Sequence, residues 1–464
     1  MADGEHDHPL DGEPSGPGRL PPRGEGEPEL EGGGEGEAAE RAGPRSMRQR
    51  VARWVTVGLS VAVLLTAGAG AFVYFRLNGN IRDMPLFGGI GGDAGRERPD
   101  AFGRTPLNVL VIGSDTRSDQ EDCRLGGDCG PGQNADVEMV LHISADRSHA
   151  TVLSIPRDTV MQLPACRTQN GGVSASRRGP VNSTLQYGPG CTVAAVHRLT
   201  ALPIDHFMLA DFAGVVRMSD AVGGVSVCVD RNVYDPYSHL KLARGRHSLK
   251  GEAALEFLRS RHSFGDGSDL GRTDAQHLFL GALAHRMRDG GSLSDPAGML
   301  TMADAATKAL TVDTGLAAIR KLVGLADDVR KVPSARFTFT TMPSAPDPDN
   351  PDRLVPAAAA KGLFATIGAD RPLKVTGTGA PTTRGPSRGP AAGPGAGPPS
   401  DETFEDRAHQ VAASPTAPAT PGRTAAGGGA CAKVSTSRSV TVKGVAMTPT
   451  AAFAATPHIP VSAK

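Results

Sequence analysis

Short apolar runs separated by polar breaks dominate the middle of the chain. Residues 107–112 form one such run, which stops at Gly113 and predicts a buried strand followed by a turn. Residues 137–143 and 150–155 form two more, and the polar break between them predicts a hairpin. The remaining pattern predicts helices at residues 192–202, 212–222, 252–257, 273–287, 299–310 and 316–329, and strands at 207–209, 225–229 and 336–342. Strands interspersed with helices predict one α/β domain, which we place at residues 105–372.

An apolar stretch long enough to cross a bilayer precedes this domain. Residues 54–75 carry no charge, and we predict a transmembrane helix over residues 52–76. Basic residues are in excess before the span, with Arg41, Arg45, Arg48, Arg50 and Arg53 there and Arg76 and Arg82 after it. This asymmetry predicts a single-pass plasma-membrane protein with a cytoplasmic N-terminus and an extracytoplasmic folded domain.

A cleaved signal peptide is the alternative interpretation of the apolar stretch, because the Ala- and Gly-rich residues 67–71 could supply a cleavage site. A leader of about fifty residues and so long an apolar segment are both unusual for signal peptides. The anchor is therefore the favoured prediction.

The two ends of the chain have the composition of unfolded segments. Residues 1–50 are rich in Gly, Glu and Pro and are predicted to be a disordered cytoplasmic tail, and residues 77–104 a spacer. Residues 373–464 are rich in Pro, Gly and Ala and are predicted to be a mostly disordered tail. Within it, residues 433–445 alternate weakly, which leaves open whether they pair as a strand.

Charge and aromatic content argue against a nucleic-acid partner. The formal net charge is zero and aromatic residues make up only 4% of the chain, so neither a basic surface nor stacking platforms are indicated. The cytoplasmic segment is acidic and has no helix-turn-helix pattern. We therefore expect no direct contact with nucleic acid.

Six cysteines agree with an extracytoplasmic location. None has CxxC spacing, so we expect loop-closing disulfides rather than zinc. The sequence does not determine the connectivity, and we assume the pairs Cys123–Cys129 and Cys166–Cys191. Cys228 lies in an apolar alternating run and is expected to be a buried thiol, while Cys431 is expected to be free in the tail.

The sequence Arg259-Ser260-Arg261-His262 indicates an anion site. If residues 257–262 form a strand, Arg259 and Arg261 project from the same side of it. Two planar guanidinium groups, with Arg272 at the entrance to the next helix, suit a diphosphate. The alternative is a pair of arginines on a solvated face.

Two aspartates stand at the ends of neighbouring predicted strands. Asp115 follows residues 107–112 and Asp136 precedes the next run, so the two carboxylates could together hold Mg²⁺. The alternative interpretation is a turn aspartate and a strand-end cap.

Three further residues complete the candidate site. Arg157 follows Pro156, whose fixed φ would deliver one guanidinium rigidly, although a local interaction with Asp158 is the alternative. Gln276 falls one helical turn beyond Arg272, and Asp269 could cap the same helix. No Gly-x-Ser-x-Gly elbow is present and the 13 histidines show no metal-ligand spacing.

These motifs together resemble the LytR-CpsA-Psr family. The resemblance rests on LNVLVIGSDTR, ADVEMVLHIS, SIPRDT, VNSTLQYG, DFAGVVRMSDAVGGVSVCV, LKGEAALEFLRSRH and DGSDLGRTDAQ, which stand in the family's order. It implies a single mixed-sheet α/β domain flanked by helices. It also implies a membrane-anchored, Mg²⁺-dependent transferase that moves a glycopolymer from a polyprenyl-pyrophosphate carrier onto peptidoglycan through a new phosphodiester.

The resemblance assigns roles to the candidate residues. Asp115 and Asp136 match the Mg²⁺-associated aspartates of the family. The pyrophosphate-contacting set is matched by Arg157, Arg259, Arg261, Arg272 and Gln276. Asp269 is the candidate base for the acceptor hydroxyl, which with Arg157 and Arg259 makes up the expected catalytic set. Asn134 and Ala275 stand where the family often has arginine, which implies a less basic anion site.

Two other functions remain open from the sequence. The same site could hydrolyse polyprenyl-pyrophosphate sugars with water as the acceptor. A non-enzymatic envelope regulator or transcriptional attenuator is the third possibility.

Overall fold

The computed structural model describes residues 47–116, 120–126, 133–168, 171–289, 296–373, 424–425 and 431–463. Two compact units are present, and the second, Gly68–Lys464, carries the sheet. The predicted disordered segment 1–50 therefore lies outside the described residues except for its last four positions.

The helices of the described residues are α1 (Met47–Asn80), α2 (Gln120–Gly126), α3 (Pro189–Thr200), α4 (Phe212–Ala221), α5 (Glu252–Arg259), α6 (Asp269–Asp289), α7 (Pro296–Ala309), α8 (Ile319–Lys331), α9 (Ala358–Gly368) and α10 (Pro449–Ala455). The first nine strands are β1 (Arg82–Met84), β2 (Leu107–Ser114), β3 (Ala135–Ile143), β4 (Ala150–Ile155), β5 (Val160–Leu163), β6 (Arg177–Pro180), β7 (His206–Ala210), β8 (Val225–Val229) and β9 (Val233–Tyr234). They are followed by β10 (Lys241–Leu242), β11 (Gly245–Leu249), β12 (Leu310–Asp313), β13 (Phe337–Thr341), β14 (Ser344–Asp347), β15 (Asn350–Pro356), β16 (Thr424–Ala425), β17 (Val440–Val442) and β18 (Val445–Met447).

One mixed sheet forms the centre of the domain. Its strand order is β1-β12-β7-β2-β3-β4-β13-β16, with parallel pairs at β1/β12, β7/β2 and β4/β13 and antiparallel pairs elsewhere. The predicted hairpin is β3/β4, in which Glu138 pairs with Ile155 and Ile143 with Ala150. The prediction of a mixed α/β domain flanked by helices is therefore confirmed.

Helices cover both faces of the sheet because successive strand residues point to opposite sides. On one face Leu110, Val140 and Leu153 pack with residues of α3 and α9. On the other face Met139 and Val152 pack with residues of α6 and α8. Strands buried on both faces explain why the sequence shows continuous apolar runs there.

The predicted strand at residues 257–262 is wrong. Residues up to Arg259 form α5, which buries Ala254, Leu255 and Phe257, and the extended residue Ser260 ends the helix. Six residues are too few to distinguish a strand from a helix end, and the apolar spacing of the preceding residues continues the helix to Arg259.

The C-terminal tail is folded in part. Residues 374–423 and 426–430 lie outside the described residues, but residues 431–463 contain β17, β18 and α10. Gly265 N donates to Lys433 O, and Ser435 N donates to Ser263 O, each at 2.8 Å. The prediction of a mostly disordered tail is therefore corrected for residues 431–463, which run beside the loop between α5 and α6.

One disulfide attaches this segment to the domain, and the observed cysteine pairing differs in part from the prediction. Cys166–Cys191 forms as predicted. Cys228 and Cys431 also form a disulfide, so the predictions of a buried thiol and a free tail cysteine are wrong. Cys123 is disulfide-bonded, while Cys129, its predicted partner, lies outside the described residues.

Helix α1 is long and apolar enough to cross a membrane, and its apolar window is not buried against the protein. This agrees with a single-pass anchor. Its direction across the membrane stays a prediction.

Candidate active site

Asp136 lies at an irregularity in the β2/β3 ladder. Gly113 pairs with Val137 but Ser114 pairs with Ala135, which leaves Asp136 as the extra residue of a β-bulge. Bulges turn a side chain away from the regular alternation of a strand. The carboxylate is thereby presented at the end of the sheet.

Two guanidinium groups bind this carboxylate directly. Arg157 Nη1 lies 2.5 Å and Arg261 Nη2 3.1 Å from Asp136 Oδ1. Arg272 Nη2 donates to the backbone oxygen of Asp136 at 3.2 Å. Three arginines around one aspartate leave an excess of positive charge, which favours an anion.

The pKa of Asp136 is shifted by the charges of these three arginines. Its burial raises the pKa, but the charges of Arg261, Arg272 and Arg157 more than offset this effect, and the pKa lies below its usual value. Asp136 is therefore ionised at neutral pH.

Arg157 is positioned as expected by the end of β4 and Pro156. Its Nε also lies 3.5 Å from Asp158 Oδ2, so the local interaction considered from the sequence exists beside the contact with Asp136. Asp158 itself is bound by Arg353. The Arg157 side chain is thus held from two sides.

Arg272 and Gln276 lie one turn apart on α6, and both are buried. Gln276 Nε2 donates to Leu258 O at 3.2 Å. A cavity is lined by both residues together with Asp136 and Arg157. Four of the predicted site residues thus line one cavity, and a fifth, Arg261, contacts Asp136.

Arg259 has a different surrounding from Arg261. Arg259 Nη1 donates to Leu125 O at 2.8 Å, and its guanidinium lies 4.7 Å from the Phe212 ring centroid. Because Arg259 ends a helix, the two arginines do not project side by side from a strand. The prediction that Arg259 and Arg261 project from the same side of a strand is therefore wrong.

Asp269 is the first residue of α6, close in sequence to the buried Arg272. Its side chain lies outside what the structure describes. The predicted role as a base therefore stays a prediction.

Asp115 anchors the end of β2. Its Oδ1 accepts a hydrogen bond from Asn134 N at 2.6 Å, and its own N donates to Asn134 O at 3.1 Å. Asn134 Oδ1 in turn accepts from Gln186 Nε2 at 3.2 Å. The two strand ends that carry Asp115 and Asp136 are thus tied together.

Glu138 is a buried carboxyl that the sequence analysis missed. It lines the same cavity as Asp136, and neither carboxyl oxygen has a hydrogen-bond partner among the described residues. Burial raises its pKa well above the usual value, and the nearby charges of Asp158 and Asp136 raise it further. An acidic residue within the apolar run 137–143 was the signal that could have revealed it.

These residues fit a hard divalent cation. Asp115 and Asp136 stand at the ends of two paired strands, and their carboxylates are oxygen ligands of the type that Mg²⁺ prefers. The residues that would hold the ion are Asp115 and Asp136.

Ser154 and His277 form a second feature that the sequence analysis missed. Ser154 Oγ lies 2.6 Å from His277 Nε2, and both residues are buried. Burial lowers the pKa of His277 to about 4, so the ring is neutral at pH 7. The pair is separated by 123 residues, so no local motif could indicate it.

The fold and this site define an α/β protein with a small cavity at the end of a mixed sheet, lined by Arg157 and Arg272. A family model described as the LytR_cpsA_psr family matches residues 94–359, more than half of the chain. The chain belongs to this family, as its motifs indicated.

Two curated relatives illustrate the similarity. The Corynebacterium glutamicum protein named cell wall biosynthesis protein LcpA is 30% identical over 319 residues, covering 63% of this chain and 60% of that protein. The Bacillus subtilis protein named polyisoprenyl-teichoic acid–peptidoglycan teichoic acid transferase TagT is 25% identical over 265 residues, covering 55% and 76%. The chain thus spans less than two thirds of the length of LcpA.

Among solved structures, a LytR-Csp2A-Psr enzyme from Actinomyces oris aligns with a TM-score of 0.47 and 22% identity. The alignment covers 62% of this chain and 95% of that one.

Proposed function

We propose that this protein is a membrane-anchored, Mg²⁺-dependent transferase that moves a glycopolymer from a polyprenyl-pyrophosphate carrier onto peptidoglycan. The observation that carries this proposal is the convergence of Arg157, Arg261 and Arg272 on Asp136, which lines a cavity together with Arg157 and Arg272. A relative named as a polyisoprenyl-teichoic acid–peptidoglycan transferase supports the class of donor and acceptor.

The proposed reaction forms one phosphodiester. An acceptor hydroxyl of peptidoglycan attacks the phosphorus that bears the glycan, and the bond from this phosphorus to the bridging oxygen breaks. Polyprenyl phosphate leaves with the electron pair of that bond. The hydroxyl proton passes to a carboxylate, for which Asp269 is the candidate base.

The arginines stabilise the charge that develops as the diphosphate separates. Arg157 and Arg272 are held by Asp136, so they need little reorganisation when the charge appears. Arg261, Arg259 and Gln276 complete the proposed pyrophosphate-binding set. Mg²⁺ bound by Asp115 and Asp136 would supply further charge neutralisation.

The carrier chain needs an apolar path beside this charged cavity. Met139 lines the cavity and belongs to the apolar cluster that the sheet forms with α6 and α8. We propose that the polyprenyl chain binds beside the charged cavity, with the extracytoplasmic domain anchored by α1 and the N-terminus in the cytoplasm.

The departures at positions 134 and 275 bear on the donor. Asn134 binds Gln186, and Ala275 is buried in the apolar cluster beneath α6. Neither residue supplies positive charge to the cavity, so we expect the protein to bind the donor more weakly than it would with an additional arginine.

The test is transfer by the full-length protein in lipid vesicles that contain a polyprenyl-pyrophosphate-linked glycan, with peptidoglycan added. We expect glycan to become wall-linked, and Arg261→Ala to slow transfer by about 100-fold. Arg320→Ala is the matched control, because Arg320 is exposed on α8.

Three results would overturn the proposal. One is an Arg261→Ala variant as active as wild type. Another is release of free phosphorylated glycan without wall attachment, which would indicate a hydrolase. The third is no consumption of any donor, which would favour the regulatory alternative.

A further inference from the structure

A cluster of imidazole and carboxylate groups lies at the end of the sheet away from the arginines. His142 is near the end of β3, His149 immediately precedes β4, and Asp370 follows α9. Asp136 and His142 are six residues apart on β3, which is roughly 20 Å. The cluster is therefore separate from the candidate active site.

The spacing of the three side chains is that of metal ligands. One ligand atom from each lies within 4.8 Å of the other two. Asp370 Oδ1 is 3.1 Å from His142 Nε2 and 3.8 Å from His149 Nε2. A tetrahedral ion bound at about 2.0–2.1 Å places its ligand atoms about 3.3 Å apart. Small side-chain movements would bring the three atoms to that distance.

His142 is held in the orientation that a metal ligand requires. Its Nδ1 lies 2.8 Å from Asn108 Oδ1, while Asn108 Nδ2 donates to Pro203 O at 2.8 Å. The second bond fixes which end of the amide faces the ring. Nδ1 must therefore carry the proton and donate it, which directs Nε2 toward Asp370. A metal-binding histidine commonly has its other ring nitrogen bound to such a carbonyl.

His149 supplies an independent observation. The residue is 7% exposed, and its Nε2 has no hydrogen-bond partner among the described residues. Its Nδ1 lies 3.2 Å from Ser148 Oγ, so the unpartnered nitrogen is the one that faces Asp370, at a distance too long for a hydrogen bond. A buried polar atom without a partner is costly, and a bound cation would provide the missing interaction.

Asp370 is held toward the histidines by the backbone. Its φ is +51°, a left-handed conformation that few residues other than glycine adopt, and its Oδ2 accepts from Ala145 N at 3.0 Å. Its side chain is 26% exposed, so the cluster can be reached from solvent.

Three further carboxyl groups surround the cluster. Glu97 interacts electrostatically with Asp370, Asp205 with His142 and Asp146 with His149. Arg336 also acts on His149. Burial raises the pKa of Glu97 to about 7, with contributions from Asp205 and Asp370. This concentration of carboxyl groups favours a cation.

We propose that His142, His149 and Asp370 bind a first-row divalent transition-metal ion of the Zn²⁺ type, with water in the fourth position. Two imidazole nitrogens with one carboxylate favour such an ion over Mg²⁺ or Ca²⁺, which prefer oxygen ligands. The ion would join β3, the start of β4 and the segment after α9. Two of its ligands, His142 and Asp370, are 228 residues apart in the sequence.

The experiment uses the full-length chain in detergent, stripped of metal with a chelator and dialysed against Zn²⁺. Bound zinc is measured by elemental analysis, and thermal unfolding is followed in parallel. We expect His149→Gln and Asp370→Asn each to lose one zinc equivalent per chain relative to wild type. At a Zn²⁺ concentration 100-fold above the dissociation constant, the Tm of the wild type should rise by roughly 5 °C.

Matched variants separate this site from other histidines. One control is His458→Ala, at an exposed position, and the other is the double variant His6→Ala/His8→Ala. Both should still bind the zinc equivalent that His149→Gln loses, and both should still show the rise in Tm. Excess Mg²⁺ should not displace the zinc.

The proposal is overturned if His149→Gln and Asp370→Asn bind as much zinc as wild type. It is equally overturned if zinc leaves the wild-type Tm unchanged, or if Mg²⁺ competes with it. The unfolding curves of the metal-free variants show whether each is folded, and a single folded variant suffices for the comparison.

Discussion

Arg157 and Asp136 form an ion pair of 2.5 Å between the ends of two adjacent strands, with Arg261 on the same carboxylate oxygen. The aspartate therefore organises the arginines as well as being a candidate metal ligand. Because Asp136 lies on a β-bulge, its side chain is turned toward the end of the sheet, where it contacts the arginines and could also bind a metal ion.

Replacing Asp136 with Asn should abolish most of the activity while leaving the fold intact. The amide cannot compensate the charge of Arg157 or Arg261, and it is a poor Mg²⁺ ligand. We expect a decrease of about 100-fold or more in transfer rate, measured with lipid-linked donor and peptidoglycan. The exposed Asp352→Asn is the control. A decrease of less than tenfold in Asp136→Asn would contradict this role.

Glu138 should make stability depend on pH in an unusual direction. Its folded-state pKa is raised above 4.5, so the unfolded state loses its proton first as the pH rises, and this weakens folding above that pH. Glu138→Gln removes the effect. We therefore expect this variant to gain stability relative to wild type between pH 4 and pH 7, measured by urea unfolding with EDTA present. The prediction would be refuted if the difference in unfolding free energy between Glu138→Gln and wild type stayed constant across this pH range.

Gly271 should tolerate no side chain. An added Cβ would overlap the carbonyl of Phe264, which packs against the first turn of α6. Gly271→Ala should lower the free energy of unfolding by about 1–3 kcal/mol and displace Arg272, with loss of transfer. Gly324→Ala, in α8 with open space around it, should instead be neutral or stabilise by about 0.5–1 kcal/mol. Equal effects of the two variants would contradict this explanation.

The Cys228–Cys431 disulfide should hold the C-terminal segment in place. The bond joins residues 203 positions apart, and its removal in a Cys228→Ser/Cys431→Ser variant should cost about 2–5 kcal/mol. Limited proteolysis should then cut within residues 431–463 while the rest of the domain persists. A Cys166→Ser/Cys191→Ser variant, which keeps the C-terminal bond, should leave that segment protected.

Local patterns determined much of the fold. The strand at residues 150–155 and the helix beginning at Phe212 were placed correctly, since side-chain periodicity and flanking turn residues act over a few positions. The ordered motifs also predicted the family and the grouping of Arg157, Arg272 and Gln276 near Asp136.

Contacts between distant residues were decided only by the tertiary structure. Arg259 points away from the expected strand face because α5 continues through it. Ser154 meets His277, Cys228 meets Cys431 and His142 meets Asp370 across 123, 203 and 228 residues. Such pairs leave no periodic trace in the sequence, since each depends on how the complete sheet and its two helical layers pack. The sequence therefore determined the elements and the anion-binding character, and packing decided which side chains meet.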